Sequence, residues 1–63
     1  SAEMRFLRDE IARVEAAIAD LEAALARAGG DDRVRLLTQI EQLAAELARL
    51  RRQLASIALD SSD

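Results

Sequence analysis

Large apolar residues recur along the chain with alternating spacings of three and four. This spacing places them on one narrow face of an α-helix, as in the heptad repeat of coiled coils. The fourteen positions, which we call the seam, are Met4, Leu7, Ile11, Val14, Ile18, Leu21 and Leu25 in the first half of the chain and Leu36, Ile40, Leu43, Leu47, Leu50, Leu54 and Ile57 in the second. The pattern predicts two long amphipathic helices.

The seam is interrupted once, between Leu25 and Leu36, where the two glycines of the chain stand together. Gly29 suits the left-handed position that ends many helices. Asp31 or Asp32 suits the N-cap of the following helix, because a short acidic side chain accepts hydrogen bonds from the first free amides. The predicted elements of this single domain, residues 1–63, are a helix over 3–28, a turn over 29–31, a helix over 32–59 and a short polar tail over 60–63.

The two halves of the seam mirror each other about a point inside the predicted turn. In antiparallel order Leu25 meets Leu36 beside the turn, and Met4 meets Ile57 at the opposite end, which we call the open end. The turn residues and the symmetry of the seam therefore agree on one arrangement. They predict an all-α fold, an antiparallel two-helix coiled-coil hairpin. In this fold, truncation of the central Leu43 to alanine is predicted to cost ~2–5 kcal/mol.

Apolar residues also lie off the seam, chiefly on the second predicted helix. Val34, Leu37 and a series of alanines form another stripe, which is typical of a helix with more than one neighbour. The candidate partner surface comprises Phe6, Val34, Leu37, Ala44, Ala48, Ala55 and Leu59. If two copies pack with their turns at opposite ends, Val34 of one copy lies near Phe6 and Leu59 of the other. We therefore predict a homodimeric four-helix bundle, with a different helical protein as the alternative partner.

The charged residues do not alter the predicted fold or the predicted association. Twelve acids and nine bases give a net charge of −3, and every base is an arginine. The candidate phosphate contacts, all expected near the open end, are Arg5, Arg8, Arg49, Arg51 and Arg52. We expect them to be solvated or paired with Asp9, Glu10 and Glu46, because the sequence offers no interleaved aromatic residues on which bases would stack. RNA binding by this end of a dimer is the alternative.

The residue types present do not suggest catalysis. The chain has no cysteine and no histidine, so it has no disulfide and no zinc site built from those residues. Two helices form no cleft for acid–base chemistry, and Gly29-Gly30 lacks the lysine of a phosphate-binding loop. We therefore predict no enzymatic activity, no cofactor, no bound metal and no small-molecule substrate. The sequence shows no signal peptide and no apolar run of membrane-spanning length, which favours a cytoplasmic location without membrane contact.

The function expected from these features is non-enzymatic oligomerisation or protein–protein interaction, through self-association or through docking of a helical partner. The alternatives are a small dimeric helical regulator that binds RNA through its arginine-rich open end, and a docking domain of a larger multienzyme assembly. The Ala, Leu, Arg and Glu content of the chain is compatible with the last of these, although no docking motif is present.

Overall fold

The computed structural model describes residues 1–60, which form two α-helices. The first helix, α1, runs over Ala2–Leu25, and the second, α2, over Gly30–Asp60. The two helices pack against each other as a hairpin whose Cα trace extends 51 Å along the rod and 14 Å across it. The predicted all-helical, two-helix architecture is therefore confirmed.

The hydroxyl of Ser1 caps α1. Its Oγ accepts a hydrogen bond from the backbone N–H of Met4 at 3.2 Å. This contact satisfies one of the amides that the first helical turn leaves without a partner. The acid Glu3 in the same turn suits the positive end of the helix dipole. The helix consequently starts at Ala2, one residue before the predicted start.

The connection between the helices comes earlier in the chain than the sequence predicts. Helix α1 ends at Leu25 instead of residue 28, and α2 begins at Gly30 instead of residue 32. The last turn of α1 tightens, since the backbone N–H of Arg27 donates to the carbonyl of Ala24 at 3.0 Å and that of Ala28 to the carbonyl of Leu25 at 3.1 Å. Such three-residue spacings are common where an α-helix ends.

The two glycines and the two aspartates also have roles different from those predicted. The left-handed residue is Gly30, with φ of 57°, and not Gly29. Because α2 starts at this glycine, Asp31 and Asp32 lie inside its first turn, so the prediction that one of them is the N-cap is wrong. Their negative charges still suit the helix N-terminus.

The far end of α2 extends one residue beyond its predicted limit. Asp60 is the last residue of the helix, although the sequence assigns it to a polar tail. The rest of the predicted tail, residues 61–63, lies outside the described residues.

The seam lies between the two helices, but it is shallow. Within residues 1–60 only Leu7 and Leu50 are buried, with 3% and 8% of their surfaces exposed. The other twelve seam residues are half-buried. Two helices alone cover only one face of each other, so a rod of this kind has far less interior than a globular domain of the same length.

Candidate protein-association surface

Helix α2 carries an exposed row of apolar residues beside the seam. The residues of this row, which we call the α2 stripe, are Val34, Leu37, Ala44, Ala48, Ala55 and Ala58. All six are exposed, and the two largest, Val34 and Leu37, have 63% and 41% of their surfaces accessible. Residues three and four apart lie on the same side of a helix, so the stripe follows α2 for most of its length.

The two flanks of the hairpin are covered unequally. On one flank Glu10, Ala17 and Ala24 of α1 and Glu46 of α2 are half-buried. On the other flank Glu15 of α1 is exposed, and so are the residues of the α2 stripe. Part of the flank opposite the stripe is thus covered, whereas the face that contains the stripe is open to solvent.

The two apolar residues of the open end are also exposed. Phe6 has 60% and Leu59 has 72% of its surface accessible. By helical position, Leu59 lies at the edge of the α2 stripe, whereas Phe6 lies on the side of α1 turned away from it. Of the residues in the predicted partner surface, those on α2 therefore lie on or beside the stripe, and Phe6 lies on a different side of the rod.

The five candidate arginines of the open end are all exposed, but they do not form one cluster. Arg49 is paired with Glu46 on its own helix, and Arg51 is paired with Glu15 across the hairpin. By helical position, Arg51 lies on the stripe side of the rod, together with Arg5 and Arg8 of α1.

Helices α1 and α2 are joined by one direct ion pair among the four that residues 1–60 form. Arg51 Nη2 donates to Glu15 Oε2 at 2.9 Å. In the antiparallel pairing predicted from the sequence, Arg51 faces Arg8 across this flank. Helical side chains lean toward the N-terminus of their own helix, so residues on antiparallel helices lean toward each other along the axis. The Arg51 guanidinium therefore lies beside Glu15 instead of Arg8.

Beside the loop, an arginine of α2 completes the end of α1. Arg33 Nη1 donates to the carbonyl oxygen of Leu25 at 3.3 Å. The last carbonyls of a helix lack partners within it, and a cation suits their partial negative charge. Asp32 pairs with Arg35 at 2.6 Å. Asp32, Arg33 and Arg35 near the loop are thus engaged in local contacts.

We expect Glu15→Gln to lower the free energy of unfolding by no more than ~1 kcal/mol, because both side chains of the Glu15–Arg51 pair are half-exposed and screened by water. Urea unfolding followed by circular dichroism, at low and at high salt, measures the effect. The loss should shrink as salt rises. Asp20→Asn, at an exposed residue without an ion pair within residues 1–60, is the control and should show no salt-dependent change. A loss independent of salt would mean that Glu15 acts through packing.

Two charged residues lie within the row of the α2 stripe and are absent from the partner surface predicted from the sequence. Glu41 and Arg51 occupy the two places where the alternating spacing of the α2 stripe skips an apolar residue. Both are exposed on the same side of α2 as Leu37 and Ala44. A search for apolar residues alone passes over them, although the spacing itself marks both positions.

The described part of the chain shows none of the other features by which functional sites are often recognised. Its surface has no pocket, and no group of three acidic residues is arranged to hold a metal ion. Neither α1 nor α2 has an apolar stretch long enough to cross a membrane. The α2 stripe and the exposed arginines are therefore the surfaces from which a function can be argued.

Comparison with known proteins finds no matching family model, no similar curated protein and no similar solved structure.

Proposed function

We propose that the chain is a non-enzymatic protein-association module, an antiparallel coiled-coil hairpin that pairs with a second copy of itself. The observation that carries this proposal is the α2 stripe, which is exposed along its length on a hairpin with only two buried side chains within residues 1–60. A second copy laid on the stripe removes Val34 and Leu37 from water.

The energetics of a two-helix rod favour this association. A short chain buries a small fraction of its apolar surface, so its hydrophobic gain barely exceeds the conformational entropy lost on folding. Most of the seam is only half-buried, including Leu43 near its centre. Association of folded hairpins stabilises the folded state by mass action and covers further apolar surface.

The architecture that fits is a four-helix bundle of two hairpins. Helices of such bundles pack at a shallow angle and share a core built from several faces. Each α2 would contribute its seam to its own hairpin and its stripe to the neighbouring one. The two positions that the stripe skips hold an acid, Glu41, and a base, Arg51, so the charges along this row are complementary to those of a second copy.

We expect the purified chain to have twice its own mass of 6.9 kDa in solution at micromolar concentrations. Sedimentation equilibrium or light scattering gives the mass, and circular dichroism at the same concentrations gives the helix content. Dilution should cause loss of mass and of helix together, because the hairpin depends on its partner. A chain that remains fully helical at the mass of a single copy over the whole range would contradict the proposal.

A matched pair of variants connects this association to the stripe. Leu37→Glu places a charge in the stripe and should raise the dimer dissociation constant by more than ~10-fold. Gln42→Glu adds the same charge at an exposed position of α2 away from the stripe and should leave the dissociation constant close to that of the parent chain. Equal effects of the two variants would mean that association uses another face.

The two alternative functions, RNA binding and docking in a larger assembly, predict different outcomes of binding and mass measurements. RNA binding at the open end is favoured by the exposure of Arg5, Arg8 and Arg52, none of which forms an ion pair within residues 1–60. It predicts an affinity for RNA that falls steeply with salt, whereas self-association predicts a dimer whose mass RNA leaves unchanged. A docking domain of a larger assembly would bind a different helix on the stripe and would remain a single copy without it.

A further inference from the structure

The α2 stripe becomes an unbroken second heptad pattern when its two charged positions are included. The eight residues, which we call the extended stripe, are Val34, Leu37, Glu41, Ala44, Ala48, Arg51, Ala55 and Ala58. Their spacings alternate between three and four throughout, and all eight are exposed. The extended stripe covers ~36 Å of α2 at the rise of an α-helix.

The order of residues along the extended stripe is complementary to its own reverse. We propose that two copies pair through it in antiparallel orientation, with Glu41 of each copy beside Arg51 of the other and the loops at opposite ends. This inference rests on the proposed function and specifies the register and orientation of the dimer. The contact is isologous, meaning that the same patch serves on both copies, as in most symmetric dimers.

In this register the side chains that face each other are complementary in size as well as in charge. The large residues of the loop half, Val34 and Leu37, face the small Ala58 and Ala55 of the second copy. At the centre, the alanines at positions 44 and 48 face each other across the symmetry axis, so that the two helices can approach closely. A large residue opposite a small one fills the interface without voids, which is the condition for dense packing.

Helix α1 adds a second reason for the antiparallel orientation. On the face that contains the stripe, Arg5 and Arg8 lie toward the open end, and Glu22 lies in the half nearer the loop. Glu15 lies near the middle of this face and is paired with Arg51 of its own hairpin. With Arg51 and Glu41 of α2, this distribution of charge makes the open half of the face basic and the loop half acidic. Antiparallel pairing lays each half on its opposite, with Glu22 near Arg8 of the second copy, whereas parallel pairing opposes like charges.

The ion pair within the hairpin is compatible with the one proposed between copies. Arg51 contacts Glu15 through Nη2, and its side chain is still 58% exposed. The guanidinium has further N–H donors for a second carboxylate. Glu41 forms no ion pair within residues 1–60 and is exposed. Each half of the proposed contact is thus available on the hairpin surface.

A charge-exchange experiment on the full chain tests the register. Glu41→Arg alone opposes two arginines at each contact, and Arg51→Glu alone opposes two carboxylates. Each variant should raise the dimer dissociation constant by at least ~10-fold. An equimolar mixture of the two should recover a heterodimer with an affinity near that of the parent chain, because the introduced arginine of one variant then faces the introduced glutamate of the other. Sedimentation equilibrium, with one variant fluorescently labelled, measures both results.

Two control variants test whether a change of net charge, or loss of the ion pair within the hairpin, is enough to weaken the dimer. Asp20→Arg makes the same charge change as Glu41→Arg on a side of α1 turned away from the proposed contact and should leave the dimer intact. Glu15→Gln removes the ion pair within the hairpin that Arg51→Glu also breaks, and should leave the dimer intact too.

The outcomes distinguish this register from the proposed function. Recovery in the mixture, together with weakening of each single variant, supports the register. If the parent chain is a dimer and the single variants associate as tightly as it does, or the mixture does not recover, the register is overturned and self-association stands. If the parent chain is a single copy at all concentrations, self-association and the register are both overturned.

Discussion

Replacement of Leu50 by alanine is expected to lower the free energy of unfolding by ~2–5 kcal/mol, because the substitution empties a buried site that the surrounding helices fill only partly after the change. Leu50 is one of the two buried side chains within residues 1–60, with 8% of its surface exposed. It lies well inside α2, where the backbone does not fray. Small domains have little stability to lose, so the variant should be largely unfolded at room temperature.

The same substitution at exposed and half-buried positions provides the scale for this result. Leu59→Ala, at a residue with 72% of its surface exposed, should change the free energy of unfolding by less than ~0.5 kcal/mol. Leu43→Ala should fall between the two, because Leu43 is half-buried where the sequence predicts a core position. Urea unfolding by circular dichroism at one fixed chain concentration is the measurement, since association shifts the transition. Equal losses for Leu50 and Leu59 would contradict the observed packing.

Gly30→Ala is expected to lower the free energy of unfolding by ~1–2 kcal/mol, because a Cβ makes the left-handed conformation unfavourable. Gly30 has φ of 57°, at the point where the chain enters α2. An added Cβ meets no atom within 4 Å, so the cost comes from the backbone and not from a clash. A longer connection or a shifted start of α2 would be needed to relieve this strain. Thermal unfolding followed by circular dichroism measures the loss.

The neighbouring glycine is the matched control for this prediction. A Cβ at Gly29 also meets no atom within 4 Å, but the residue does not have a positive φ. Gly29→Ala should therefore leave stability unchanged or raise it by ~0.4–1 kcal/mol through the lower entropy of the unfolded chain. Gly30→Asn should recover part of the loss, since asparagine adopts the left-handed region more readily than alanine. A loss at Gly29 as large as at Gly30 would contradict the observed loop.

The sequence predicts the surface pattern better than it predicts the loop. The exposure of Val34 and Leu37 follows from their position beside the seam, because helical periodicity alone sets which side of α2 they occupy. The loop differs because alanine and arginine at positions 26–28 are good helix formers, and their propensity points to a longer α1. The tightened last turn at Ala24 and Leu25 ends α1 earlier instead.

The partner of Arg51 in the ion pair between the helices is likewise not predicted by the sequence. The sequence predicts that Arg51 and Glu15 lie on the same flank of the hairpin, but its antiparallel pairing sets Arg51 opposite Arg8. Side chains on antiparallel helices point toward the N-terminus of their own helix, and this opposite direction brings Arg51 to Glu15 instead.

The sequence by itself determined that the protein is an all-helical hairpin with one apolar seam and a second stripe on α2. Periodicity is sufficient for this, because the α-helix converts spacing along the chain directly into position around an axis. The tertiary structure decided which glycine takes the left-handed conformation, where α1 stops and which flank is left open. These features depend on how two rods lean and where their ends meet, which is set by packing between residues far apart in the chain.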